Sequence, residues 1–133
     1  MTSPQLFELH LHQGSDFEAG PMFLREPITG DPILSSDGWS AVCTVRNVFD
    51  GTEIVVFGAG GAGTAVFEGV DDEALFLRLP GTVTTGLPAT ETIRGISDGY
   101  HLADLVITRT TPTAEQHHVC DFIVHVHRKA TSA

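Results

Sequence analysis

Apolar and polar residues alternate along residues 6–12: Phe7, Leu9 and Leu11 fall on one face, Glu8, His10 and His12 on the other. That period of two marks a half-buried strand. The same pattern recurs at 39–47, where Trp39, Ala41, Cys43 and Val45 share a side, and at 75–79, where three leucines alternate with Phe76 and Arg78. It returns at 118–128, with Cys120, Phe122, Val124 and Val126 on one face and Asp121, Ile123, His125 and His127 on the other. Shorter strands are predicted at 22–25, 53–57, 64–68 and 100–108. Turn chemistry separates them: Gln13-Gly14-Ser15-Asp16, the hairpin signal Asp50-Gly51, the acidic Asp71-Asp72-Glu73, and Pro80-Gly81. Residues 26–38 read as a loop. The Thr- and Gly-rich 82–99 has only Leu87-Pro88 as a start for a short helical turn. Seven or eight short strands without a long helix predict an all-β fold, an antiparallel sandwich or barrel.

Composition narrows the picture. A chain of 133 residues, 41% of them hydrophobic, suits one domain spanning 1–133, with a polar, mobile tail at 129–133. Seventeen acidic against seven basic residues give a net charge of −10, which repels phosphate backbones and anionic lipid and argues against nucleic-acid or membrane partners. Neither a membrane-spanning apolar run nor a signal-peptide pattern is visible, so a soluble protein made in a reducing cytosol is expected. Cys43 and Cys120 then read as buried free thiols, with a bridge between facing strands as the alternative.

Gly58, Gly60 and Gly63 follow the apolar run 53–57 in the spacing of a dinucleotide fingerprint. The helix that such a site needs is missing, because 64–79 carries strand alternation and runs into Pro80-Gly81. The glycines are predicted to form a loop between strands.

Seven histidines are an excess for this length. His10 and His12 project from one face of the first strand, His125 and His127 from one face of the last. If those strands are neighbours, four imidazoles converge on an outer sheet face, where they are candidate metal ligands. The competing expectation is a solvated polar face, with Glu8 and Asp121 as acidic companions. His117-His118 reads as part of a turn, and Trp39 as a core anchor. The carboxylates Asp16, Glu18, Asp71, Asp72, Asp98 and Asp104 form no evident acid–base pair. No nucleophile elbow, metalloprotease helix or Cys-x-x-Cys pair occurs, so no catalytic residue and no cofactor is assigned.

The order of the pieces carries a resemblance. An early strand leads to Gln13-Gly14-Ser15-Asp16-Phe17. Thr29-Gly30-Asp31-Pro32-Ile33, Asp37-Gly38-Trp39-Ser40-Ala41-Val42 and Thr44-Val45-Arg46 follow. Later come Leu75-Phe76-Leu77-Arg78-Leu79-Pro80, Gly99-Tyr100-His101-Leu102-Ala103-Asp104-Leu105 and the closing Phe122-Ile123-Val124-His125-Val126-His127-Arg128. Over nearly its whole length the chain resembles the small immunoglobulin-like domains of tailed bacteriophages, similar to the N-terminal domain of upper baseplate proteins. It departs from them in the 58–63 loop and in His127-Arg128, where Thr-Arg is usual. The resemblance implies an immunoglobulin-like β-sandwich and a non-enzymatic virion component assembled in the host cytoplasm. It would be a minor tail or tail-tip protein docking onto other phage structural proteins as a symmetric oligomer or ring. Head decoration and a His-rich metal-binding sandwich are the alternatives. Docking candidates are the segment 1–7, in particular Phe7, and the stretch Met22, Phe23 and Leu24, ahead of the 58–63 loop.

Overall fold

A computed structural model describes residues 5–26, 28–90, 99–111 and 113–128. Among them are eight strands: β1 (Gln5–His12), β2 (Phe17–Phe23), β3 (Ser40–Asn47), β4 (Glu53–Phe57), β5 (Thr64–Glu68), β6 (Ala74–Leu79), β7 (His101–Arg109) and β8 (Glu115–His127). They form two sheets, a five-stranded one in the order β1-β8-β7-β3-β4 and a three-stranded one in the order β2-β6-β5. The fold is all-β and of mixed topology, an arrangement consistent with a sandwich.

One continuous apolar cluster draws on both sheets. Leu9, Leu11, Val45, Phe57, Leu105, Ile107, Phe122, Val124 and Val126 come from the larger sheet, and Leu75, Leu77 and Leu79 from the smaller. Leu9, Leu11, Val45, Phe122, Val124, Val126 and the three leucines are residues that alternation assigns to apolar faces. Phe7, grouped with Leu9 and Leu11 by the same pattern, is instead exposed, and Trp39 is buried with the cluster, as a core anchor should be. The outer faces keep the polar alternates.

The expectation of a purely antiparallel fold is corrected at one pair. β1 runs parallel to β8, whereas every other strand pair is antiparallel. Alternation says which side chains point inward but nothing about strand direction. Here Leu9 lies beside Val124 and Leu11 beside Val126, so the parallel register keeps both apolar sets on the core side.

Three local readings also change. β2 begins at Phe17 rather than Met22 and crosses a register shift between Ala19 and Met22. β8 begins at Glu115, so His117 and His118 lie in a strand and not a turn; they pair with Ile107 and Val106 beyond a register shift that leaves Val119 of β8 as the extra residue. The short helix is α1 (Gly81–Thr84), before Leu87-Pro88, and Asp16 Oδ1 accepts a hydrogen bond from Gly81 N at 2.7 Å at its start.

Residues 58–63 join β4 to β5, and Thr64 opens a strand where a nucleotide site would need a helix. Backbone packing accounts for two of the glycines. Gly58 has φ of 89°, and a Cβ there would lie 2.7 Å from the Ala41 carbonyl oxygen. A Cβ on Gly63 would lie 2.7 Å from the Phe57 ring.

The cysteines are free and buried. Cys43 and Cys120 both lie opposite Leu105, one on each side of β7. They are therefore two inter-strand spacings apart, roughly 9–10 Å, too far for a disulfide. Burial pushes the Cys43 thiol up to about 12 and that of Cys120 to about 11. The predicted tail at 129–133, the start of the 1–7 segment and Asp98 lie outside the described residues.

Candidate metal centre

The parallel β1–β8 register sets His10 beside His125 and His12 beside His127 on the outer face of the larger sheet. Side chains directly across a ladder are close neighbours. The rings accordingly stack, with centroids 4.7 Å apart for His10–His125, 5.2 Å for His10–His127 and 4.6 Å for His12–His127. All four histidines singled out by alternation are thus brought together.

The compact ligand set within this group is more specific than four imidazoles. One ligand atom from each of Glu8, His10 and His125 lies within 4.8 Å of the other two. His125 Nε2 sits 3.1 Å from Glu8 Oε1, and His10 Nδ1 sits 2.9 Å from His127 Nε2. An imidazole that shares one nitrogen with a neighbour keeps the other for a metal, and the shared bond fixes its ring. His127 is therefore placed to orient His10, and His12 stands one step further out, stacked on His127. Glu8, an acidic companion in the sequence pattern, becomes a candidate ligand. The His125 side chain is 16% exposed and that of Glu8 62%, so the group is open to solvent on the Glu8 side.

Electrostatics favour the metal-ready form of His10. Partial burial holds its pKa below the usual 6.5, the charges of His125 and His127 push the same way, Glu8 opposes them, and His12 adds a small lowering. A neutral ring is what a metal ion binds.

A second cluster, Glu26, Glu115 and His117, was not visible in the sequence because its members come from a loop and the start of β8. Arg109 already fills it. Its Nη2 meets Glu115 in a short ion pair and lies 4.0 Å from Glu26, while its guanidinium stacks on Trp39, 4.4 Å from the ring centroid. The Glu115 carboxyl is held below its usual range, first by Arg109 and then, against desolvation, by His117. A fixed guanidinium supplies the positive charge there, and a second cation would be repelled by it.

The other sequence candidates do not join either group. His118 is paired with Asp121 at 2.8 Å. Asp16 caps α1, and Glu73 Oε2 accepts a hydrogen bond from Asp71 N. Of the docking candidates, Phe7 is exposed and its ring lies 6.0 Å from that of Phe122; Phe23 is exposed; Met22 and Leu24 are half-buried against the core. Phe23 and Leu24 line a groove of about 570 Å³ together with Arg25, Pro32, Leu34 and Val70. No family model matches this chain, and neither does any curated protein.

Proposed function

We propose that this chain is a β-sandwich binding module that holds a divalent transition-metal ion, zinc being the best fit, on the outer face of its larger sheet. One observation carries the reading: the β1–β8 register gathers Glu8, His10 and His125 so that their ligand atoms lie within 4.8 Å of one another. Two imidazoles and a carboxylate are a zinc donor set, and they leave one position of a tetrahedron for a further ligand. The role is structural, because the triad lies on an exposed sheet face that offers a substrate no walls.

Isothermal titration calorimetry with zinc chloride tests this. The parent should bind one ion per chain, and His10→Ala should weaken binding at least tenfold while the fold, read by circular dichroism, stays unchanged. Absence of a binding isotherm for the parent near pH 7.5 would remove the metal reading.

A second reading is favoured by the groove beside Phe23. Phe23 is 66% exposed and Val70 fully exposed, and apolar side chains flanking a cleft suit a protein partner. With the resemblance to phage domains, this supports an immunoglobulin-like module of a tailed-phage virion, docking at the tail tip, with head decoration as the variant. The two readings are compatible, since a surface metal ion can serve assembly.

A further inference from the structure

We infer that the metal centre is completed by a second copy of this chain, which pairs its β1 antiparallel with β1 across a two-fold axis near His10 and contributes its His12 as the missing ligand. The inference rests on the metal reading above and adds the partner to it.

The geometry begins with the backbone. Gln13 N donates to His127 O at 2.9 Å, which fixes the phase of the parallel ladder. Odd-numbered residues of β1 then direct their N–H and C=O groups toward β8, and Glu8, His10 and His12 direct theirs to the other side. β1 is the edge of the five-stranded sheet, and among the described residues no strand covers that side. Its outward groups are a ready pairing surface.

An antiparallel partner centred on His10 uses those same three residues. His10 then lies opposite His10 of the second copy, and Glu8 lies opposite His12 of the second copy. Hydrogen-bonded antiparallel pairs have Cα atoms about 5.5 Å apart with side chains on one face. The added imidazole therefore arrives on the metal face, beside Glu8, where the three-ligand set is incomplete. Two-fold symmetry repeats the site, so one dimer holds two ions.

Charge makes the pairing conditional. Each copy carries a net charge of −10, which opposes association. Two divalent ions at the contact offset part of that repulsion, next to the Glu8 carboxylates. The dimer should form with the metal and separate when it is chelated.

Native mass spectrometry and sedimentation velocity of the full chain, with zinc chloride as the only addition, decide the matter. The expected result is a monomer in EDTA and a dimer carrying two zinc ions when the metal is supplied. His12→Ala and His12→Asn should each weaken zinc binding and raise the dimer dissociation constant at least tenfold. His12 is exposed, so neither change should disturb folding. A zinc-loaded monomer, a dimer indifferent to EDTA, or a His12→Ala dimer as tight as the parent would overturn the inference and leave the metal reading standing. A parent chain that binds no zinc would remove both.

Discussion

His10 ties the centre together, because it stacks on His125, bonds His127 and shares the ligand set with Glu8. Its folded pKa lies below 6.5, so the folded state holds fewer protons than the unfolded chain between that value and 6.5. The sign follows directly. His10 contributes stability above pH 6.5, and that contribution is lost as the pH falls from 6.5 through the folded pKa. Metal binding weakens over the same acidic range, as protons compete for the ring. Histidine proton resonances followed against pH in EDTA should place the His10 midpoint below 6.5. His127→Ala should move it up and Glu8→Gln should move it further down, since the first removes a repelling charge and the second an attracting one. A midpoint at or above 6.5 would contradict this account. The donor types were legible in the sequence, where alternation put both His-x-His pairs on outward faces. Their final roles were not, because stacking order and the entry of Glu8 depend on register, which no single strand encodes.

Among the strands, β3, β6 and the later part of β8 are readable because each buries one face and shows it as strict alternation, and β1 is readable through Leu9 and Leu11 although Phe7 on the same face is exposed. β2 was half missed: its burial pattern is irregular where the register shifts at Ala19 and Met22, so period two is broken. The start of β8 looks like a turn in sequence because His117-His118 interrupts the apolar rhythm, and pairing with β7 overrides that local signal. The glycine loop between β4 and β5 shows how a motif can have a purely structural cause. Gly58 needs a left-handed backbone and has the Ala41 carbonyl against it, whereas Gly60, also left-handed with φ of 79°, has nothing within 4 Å. Gly58→Ala should therefore cost roughly 1–3 kcal/mol, and Gly60→Ala about 1 kcal/mol from backbone strain alone. Urea denaturation of the two variants checks the order, and equal losses would show that the contact with Ala41 is relieved by local movement.

At the scale of the whole chain, the centre joins the first strand to the last: Glu8 and His125 are 117 positions apart and in hydrogen-bonding contact. β1 is an edge strand held in its sheet by β8 alone, so its release would carry Glu8 and His10 away from His125. An ion bound to Glu8, His10 and His125 must leave before β1 can detach, and the unfolded chain cannot gather the same three groups. Binding to the folded state alone raises stability by about 2.7 kcal/mol when free metal is a hundredfold above its dissociation constant. For a domain of this size, that corresponds to a rise of roughly 3–5 °C per kcal/mol in the unfolding midpoint. Thermal unfolding with and without zinc should show that rise in the parent, its reversal by EDTA, and little of it in His10→Ala or His125→Ala. Leu105→Ala separates the metal effect from general stability. That side chain is fully buried between the sheets, and its loss should cost about 2–5 kcal/mol while leaving the zinc-dependent increment intact. If Leu105→Ala abolished the increment and His10→Ala kept it, zinc would be acting elsewhere on the molecule, and the β1–β8 face would be a solvated stack of imidazoles.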